Sequence, residues 1–324
     1  MRRRTFIAWL GSAAAWPVVA HAQQPAMPVV GFLHSARPNT AANRVRAFRQ
    51  GLTEAGFVEG RNVAIEFRFA ELQNDRLPAL AADLVRRQVA VIAGLNSTEG
   101  VRVAKAATTT IPIVFVIGGD PVKNGLVASL NRPGGNVTGV TSLGNELGPK
   151  RLGLLRYLLP NAGLIAALVN PTNPNAESDA KDLLAAARTL GVELDVLRAS
   201  TEREIDGVFT SLVQSRAGGL VIGADPFFAG REQLVALMVR YAMPTIYTPE
   251  FAAAGGLLGY GASPTDDYRL AGVYTGRVLA GAKPADLPVV QSTKLELIIN
   301  LKTANALGLI IPETLLATAD EVIQ

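Results

Sequence analysis

The sequence predicts an α/β protein made of two Rossmann-like lobes, each a doubly wound sheet. Short apolar runs alternate with amphipathic segments of helical length from residue 29 onward, and this alternation restarts after the turn at 134–136. Such alternation is typical of βαβ units on a parallel sheet. The chain has 324 residues, more than a single hydrophobic core usually organises, so we expect two lobes rather than one.

The first half of the chain contains the elements of one lobe. Its second predicted strand alternates apolar and polar residues strictly, which indicates a half-buried strand. Its first predicted helix repeats apolar residues every three or four positions and is capped by Gly56. Strands are predicted at 29–33, 63–69, 89–93 and 113–117, and helices at 45–55, 77–85 and 101–107.

The second half repeats the pattern and ends in a short tail. Strands are predicted at 164–169, 194–197, 220–223, 245–247 and 257–260, and helices at 176–190, 202–216 and 233–241. A helix at 268–279, a proline-containing stretch at 282–288 and a strand at 295–299 follow. This tail is too short for a third domain, so it should return to the existing lobes and create a hinge with several crossings. The predicted N-terminal lobe is 28–142 plus 263–292, and the C-terminal lobe is 143–262 plus 293–324.

The N-terminus has the features of a secretory signal peptide at residues 1–22. Three arginines at 2–4 precede an apolar run at 6–19, and Ala20-His21-Ala22 provides a small-residue cleavage site. The segment Arg3-Arg4-Thr5-Phe6-Ile7 is similar to a twin-arginine signal, so export by either the Tat or the Sec route is open. The apolar run is shorter than the roughly 20 residues that cross a bilayer. We therefore expect a soluble periplasmic protein without stable membrane insertion.

The charge of the chain argues against a nucleic acid partner, and the absence of cysteine excludes several kinds of site. The chain has 31 basic and 27 acidic residues, and cleavage removes three of the arginines, so the mature protein is close to neutral. A nearly neutral chain with scattered basic residues is not expected to bind nucleic acid. The sequence has no cysteine, which excludes disulfides, thiolate nucleophiles, zinc fingers and a lipid-modified cysteine.

Sequence signatures of catalysis are absent. The chain has no G-x-S-x-G, Walker A or H-E-x-x-H motif, and His34 is the one histidine left after removal of the signal peptide. A Ser-His-Asp triad or a multi-histidine metal site is therefore not expected. We predict no enzyme activity, no catalytic residues, no metal and no cofactor, although a hydrolase that uses only carboxylates stays open.

Polar side chains follow most of the predicted strands. In open α/β sheets, ligands bind at the carboxyl ends of the strands, so these side chains would line a cleft between the lobes. For any single residue, a helix cap or a turn is the alternative interpretation. The candidate ligand-binding residues are Ser35, Asn96, Ser97, Thr98 and Asp120 in the first lobe and Asn170, Asp225, Phe227, Glu250 and Tyr260 in the second.

These residue types suit a small polar solute. An amino acid needs partners for both of its charges when it leaves water. We expect Ser97 and Thr98, with nearby backbone N–H groups, on the anionic side and Asp120 or Asp225 on the cationic side. Phe227 and its neighbour could line the cleft, pack in the core or divide these two roles.

Several longer segments carry a resemblance to a known family. They are 51–62, 111–115, 131–139, 223–228 and 300–304. In these segments the chain resembles bacterial ABC transporter substrate-binding proteins of the type I periplasmic fold, in the branch associated with tryptophan and tyrosine uptake. The resemblance implies two lobes that close on a solute and deliver it to an inner-membrane permease with a cytoplasmic ATPase.

The resemblance also maps the family's ligand positions onto this chain, and it leaves alternatives for the biological role open. The mapped positions are Ser35, Asn96, Ser97, Asp120, Asn170, Asp225 and Tyr260. We expect a monomeric solute-binding protein of an ABC importer, whose ligand is an amino acid or amino-acid-like solute, aromatic ones included. A periplasmic sensing subunit for a membrane receptor has the same sequence requirements, and a carboxylate-based periplasmic enzyme is the less favoured alternative.

Overall fold

The structure is a computed structural model that describes residues 27–142, 144–229 and 232–324. The predicted signal peptide at 1–22 lies outside the described residues. The strands are β1 Val29–His34, β2 Ala64–Phe69, β3 Val91–Leu95, β4 Ile113–Ile117, β5 Val137–Thr141, β6 Leu164–Val169, β7 Glu193–Arg198, β8 Leu220–Ile222, β9 Thr245–Tyr247, β10 Leu258–Ala262, β11 Val290–Gln291, β12 Leu295–Asn300 and β13 Glu321–Ile323. The helices are α1 Ala42–Glu54, α2 Leu77–Arg86, α3 Thr98–Ala107, α4 Gly148–Leu158, α5 Ala176–Leu190, α6 Glu202–Ser215, α7 Glu232–Arg240, α8 Pro249–Ala253, α9 Pro264–Leu279, α10 Leu301–Ala306 and α11 Glu313–Leu316.

The strands form two separate sheets, one in each lobe. The first has the order β2-β1-β3-β4-β5-β11, and its strand pairs are parallel. The second has the order β7-β6-β8-β9-β10-β12-β13, in which β10 and β12 pair antiparallel. Apolar clusters cover both faces of each sheet, which explains why every residue of the central strand β4 is buried. The predicted fold class, two doubly wound lobes of the type I periplasmic kind, is confirmed.

The chain passes between the two sheets three times among the described residues. The crossings follow β5, β10 and β11, so that α9 and β11 return to the first sheet and β12 and β13 to the second. The crossing segments are hydrogen-bonded to one another. Ser292 N donates to Thr141 O at 2.9 Å, and Ser263 N donates to Lys294 O at 3.3 Å. This arrangement is the multi-crossing hinge that the sequence predicts.

Helix α9 is held in the first lobe by direct backbone packing on α1. A Cβ atom at Gly51 of α1 would lie 1.8 Å from Arg269 O, and one at Gly272 of α9 would lie 2.1 Å from Phe48 O. Only glycine permits two helices to approach this closely. The first turn of α9 therefore has a fixed position beside the hinge.

Some elements differ from the sequence predictions. No element is predicted for β5 or α4, because β5 is a short Thr- and Gly-containing strand and α4 contains Pro149 and two glycines. Tertiary packing forms both, since β5 is buried between β4 and β11 and α4 packs on α5. Helix α9 begins at Pro264, four residues before the predicted start at 268.

Candidate functional site

A cleft lies between the carboxyl ends of the strands of the two sheets and encloses about 190 Å³. Its walls come from both lobes and from the segments that join them. Eight of the sequence-predicted residues line it, namely Ser35, Asn96, Ser97, Thr98, Asn170, Asp225, Phe227 and Glu250. The fold thus brings together residues that are more than 200 positions apart in sequence, from Ser35 to Glu250, because parallel strands end at one edge of a sheet.

The N-terminal wall is built on a strained residue at the end of β3. Asn96 has a positive φ of 72°, which is uncommon for a residue other than glycine. Its side-chain nitrogen donates to Ser35 Oγ at 3.3 Å, and Ser35 Oγ donates to the Asn96 carbonyl at 3.3 Å. The backbone strain is held by this local network, which fixes the amide of Asn96 toward Arg44.

Arg44, in the first turn of α1, joins the two lobes across the cleft. Its Nη1 donates to Asn96 Oδ1 at 3.0 Å within the N-terminal lobe. Its Nε donates to Glu250 Oε1 of α8 at 3.1 Å, and its Nη2 pairs with Glu250 Oε2. Burial works to lower the pKa of Arg44, but the Glu250 carboxylate and nearby tyrosines outweigh it and raise that pKa. The guanidinium is therefore a permanent buried cation.

The C-terminal wall is a set of side chains organised around Asp225. Its carboxylate accepts hydrogen bonds from Asn170 Nδ2 at 3.1 Å, Asn173 Nδ2 at 2.5 Å and Phe227 N at 2.6 Å. Tyr247 Oη donates to the Asp225 carbonyl at 2.8 Å. Because its oxygens already have partners inside the lobe, Asp225 shapes this wall and is a poor candidate for the group that meets a cationic ligand.

The adjacent phenylalanines have different positions. Phe227 lines the cleft, whereas Phe228 is fully buried in the core with α6 and α7. The two rings contact edge to face with centroids 5.2 Å apart. One aromatic side chain is therefore available to a solute, and its neighbour anchors it.

The wall at α3 has a polar helix N-terminus. Ser97 is the N-cap, and its Oγ accepts a hydrogen bond from Gly100 N at 3.1 Å. Thr98 follows as the first helical residue and also lines the cleft. The positive end of the α3 dipole therefore faces the cleft, which favours an anionic group of a ligand there.

Two predicted site residues lie outside the cleft lining. The Oδ1 of Asp120 accepts hydrogen bonds from Val122 N at 2.8 Å and Lys123 N at 3.1 Å, so this carboxylate closes the turn after β4. Tyr260 packs against the core of the second sheet, and its carbonyl accepts a hydrogen bond from Arg151 Nε at 2.8 Å. The turn interpretation applies to Asp120, and strand alternation directs Tyr260 away from the cleft that its neighbour Gly261 lines.

Several cleft residues escape prediction from sequence because they lie inside helices. Arg44, Arg151, Asp267 and Tyr268 all line the cleft. A charged residue in a helix is usually assigned to its solvent-exposed face, and the helix that contains Arg151 is itself not predicted. The one available signal is position, since α1 directly follows β1 and its first turn must lie near the carboxyl edge of the sheet.

Two buried basic groups, His34 and Arg151, lie at or near the cleft. Burial and the nearby Arg44 lower the pKa of His34 to about 3, so the imidazole is neutral at physiological pH. Its Nδ1 accepts from Ala36 N at 3.0 Å, which leaves Nε2–H to donate to Tyr268 Oη at 2.8 Å. Burial lowers the pKa of Arg151 to about 10, and that side chain stays protonated. Within the described ranges, no cluster of three or more acidic or histidine side chains could hold a metal ion.

Comparison with known proteins identifies the family. The profile of the ABC transporter substrate binding protein family matches residues 36–323. The chain belongs to this family. It is a substrate-binding protein, and the cleft between its lobes is the place where such proteins hold a small solute. Among the residues that the structure describes, no helix is both long and apolar enough to cross a membrane.

Related proteins share the architecture over most of the chain. A tyrosine-binding protein of Clostridioides difficile is 29% identical over 269 residues, which cover 82% of this chain and 76% of that protein. The ABC domain of Streptococcus pneumoniae in complex with L-Trp has a TM-score of 0.82 and 26% identity, covering 91% of this chain and 99% of that one. A ligand-free, open substrate binding protein of Clostridium difficile has a TM-score of 0.65 and 22% identity, covering 92% and 99%.

Proposed function

We propose that this substrate-binding protein works in the periplasm, captures an amino acid or amino-acid-like solute by hinge closure and delivers it to an inner-membrane ABC permease. The observation that carries the proposal is the polar closure of the cleft by both lobes. Arg44 and Glu250 pair across it, and Asn124 Nδ2 donates to Asn175 Oδ1 at 3.1 Å at a second point. A cleft that closes through bonds between lobes can bury a solute and present a distinct closed form to a partner.

The charges around the cleft favour a zwitterion. Cationic or partly positive groups are Arg44, Arg151 and the N-terminus of α3, and the acidic residues are Glu99, Asp225, Glu250 and Asp267. We propose that Ser97, Thr98 and the basic groups face the solute carboxylate. Ser35, Asn96, Asn170 and Phe227 would supply neutral polar and apolar contacts.

The cleft volume bears on the size of the solute. The cleft, which is partly open to solvent, has a volume of about 190 Å³, and a cavity of about 150 Å³ is enough to hold benzene. A single-ring or aliphatic side chain matches this volume better than the two-ring side chain of tryptophan. Relatives bind tyrosine and L-Trp. We expect single-ring and aliphatic amino acids to bind this protein more tightly than tryptophan.

Closure would move two rigid units about the hinge. We propose that these units are residues 28–142 with 263–292 and residues 143–262 with 293–324. The packing of α9 on α1 and the pairing of β11 with β5 support the first unit. We further propose that residues 1–22 direct export and are removed, and that the mature protein acts as a monomer without turnover of its ligand.

A thermal-shift screen of the mature protein from Gln23 tests the ligand class. The panel is amino acids, small peptides, purines, sugars and carboxylates. A solute at 100 times its dissociation constant stabilises the fold by about 2.7 kcal/mol, which shifts the melting temperature visibly. A shift confined to amino acids supports the proposal, and a shift by sugars or purines alone contradicts it. Mass spectrometry of the recovered solute checks that it is unchanged, since conversion would indicate an enzyme.

A further inference from the structure

We propose that Asp267 is the residue that receives the ammonium group of the solute. This inference rests on the proposed amino acid ligand and names a subsite within the same cleft. Asp267 lies in the first turn of α9, directly after the second crossing, and lines the cleft at its hinge side. It takes the place in the site that the sequence suggested for Asp120 or Asp225.

The first argument is an unsatisfied acceptor. Asp267 is 3% exposed, and its Oδ1 is buried without a hydrogen-bond partner in the described structure. The hydroxyl of Ser292, in the third crossing, is likewise buried, and it approaches the Asp267 carboxylate from the hinge side without satisfying Oδ1. Buried polar atoms are nearly always paired in native proteins, because an unpaired one loses its hydration without compensation. A group that lines a ligand cleft and lacks a donor is suited to accept one from the ligand.

The second argument is the distribution of charge among the other acidic groups of the cleft. Glu250 pairs with Arg44, and the Asp225 carboxylate accepts three hydrogen bonds from its own lobe. Glu99, the fourth acidic residue of the lining, accepts two hydrogen bonds from Arg102 on α3. The positive charge of Arg44 acts to lower the pKa of Asp267, but the N–H groups of Arg44 donate to Glu250 and Asn96 and not to Asp267. Among the described cleft carboxylates, Asp267 is therefore the one that has a buried oxygen left for a cation.

The third argument concerns the kind of cation. The described residues place no cluster of three acidic or histidine ligands at this point, so a coordinated metal ion is not indicated. An ammonium group carries one positive charge and three N–H donors, and it could meet Asp267 with one donor. The Ser292 hydroxyl, which partly stabilises the ionised Asp267, supports the carboxylate from the hinge side.

Release of a proton on ligand binding would distinguish a carboxylate that binds the ammonium group from one that only supports the fold. Burial raises the pKa of Asp267 to about 7, Asp266 beside it on α9 acts in the same direction, and Ser292 and Arg44 oppose the rise. Tyr268, the next residue on α9 and also part of the cleft lining, stays neutral because burial raises its own pKa. Binding of an ammonium group would favour ionised Asp267, so binding near pH 7 releases a proton from the protein.

Isothermal titration calorimetry at pH 8 tests the assignment with matched probe pairs. L-Tyrosine, L-tryptophan and L-leucine are compared with 3-(4-hydroxyphenyl)propionate, 3-indolepropionate and 4-methylpentanoate, which lack only the amine. The wild type should bind the amino acids about 10- to 100-fold more tightly than the acids, the range given by one hydrogen bond to a charged group. Asp267→Asn should remove most of that preference. Asp266→Asn, a change of the adjacent residue that pairs with Arg269 outside the cleft lining, should keep it.

Titrations of the wild type at pH 6.5 to 7 in buffers of different ionisation enthalpy provide a second measurement. Proton release with amino acids but not with the amine-free acids supports the assignment, whether or not the variant folds. If the wild type binds amino acids and Asp267→Asn keeps the preference for the amine, the subsite is wrong while the proposed function stands. Equal binding of amino acids and amine-free acids by the wild type also refutes the subsite. If none of the three amino acids binds and no other amino acid of the thermal-shift panel stabilises the protein, both the ligand class and the subsite are refuted.

Discussion

Replacement of Glu250 by Gln should open the cleft without weakening either lobe. The Glu250 carboxylate is the anionic partner of Arg44 across the cleft, and the Arg44 side chain is 9% exposed while that of Glu250 is 41% exposed. Loss of one member of a fully buried pair costs about 3 to 5 kcal/mol. Water reaches Glu250, so we expect the smaller loss of about 1.5 to 3 kcal/mol that is typical of a hydrogen bond to a charged group.

The substitution should destabilise the closed form but not the open form, because Arg44 and Glu250 lie in different lobes and meet only when the cleft is closed. The closed-to-open ratio would then fall by about 10- to 100-fold, and the affinity for any solute that needs closure would fall with it. The chain has no cysteine, so one engineered cysteine at an exposed position of each lobe allows labelling for energy transfer without background. The variant should show a larger population at long inter-dye distance than the parent protein.

The matched control is Glu202→Gln, which removes another ion pair between the lobes. Glu202 lies 3.6 Å from Arg37, and both side chains are more than half exposed. Exposed pairs contribute about 0 to 1 kcal/mol, so this variant should differ little from the parent protein. If Glu250→Gln leaves the distance distribution unchanged, or if Glu202→Gln opens the cleft equally, the proposed role of the buried pair is refuted.

Three further predictions concern stability, measured by urea unfolding. Gly272→Ala should lower the free energy of unfolding by about 1 to 3 kcal/mol or more, because the added Cβ would lie 2.1 Å from a carbonyl oxygen of α1. Gly207→Ala, its control in open space on α6, should raise the free energy of unfolding by about 0.5 to 1 kcal/mol. Tyr247→Phe removes the buried donor to the Asp225 carbonyl and should cost about 1 to 3 kcal/mol; a neutral result would contradict the ordering of that wall. The pKa of Asp267 rises from its ordinary value of 3.8 to about 7 on folding, because the carboxyl group is buried. The wild type should therefore lose stability relative to Asp267→Asn as pH increases from about 4 to about 7, by up to about 4 kcal/mol. A stability difference that stays constant over this pH range would contradict the raised pKa.

Local patterns in the sequence predict most of the fold. The strict alternation of β2 and the apolar spacing of α1 place both elements to within a few residues. Elements that form only because neighbouring elements bury them are not predicted by local patterns. Strand β5 and helix α4 contain glycine or proline and lack a clear period, so only their burial against other elements explains why they form.

The cleft residues also separate into those that local sequence patterns predict and those that depend on tertiary packing. Residues directly after strands, such as Asn96 and Asp225, are predicted because parallel strands share an edge. That rule does not tell a ligand contact from a turn cap, as Asp120 demonstrates. It also omits Arg44 and Asp267, which reach the cleft from helices.

The sequence by itself determined the fold class, the two-lobed organisation and the family. These properties follow from periodicity and from segments read along the chain. The tertiary structure decided which charges meet, since Arg44 and Glu250 are 206 positions apart and Asp267 approaches the cleft only after the chain has crossed back to the first lobe. Pairing and desolvation of charged groups depend on distance and burial in three dimensions, and these distances are not encoded in any local pattern.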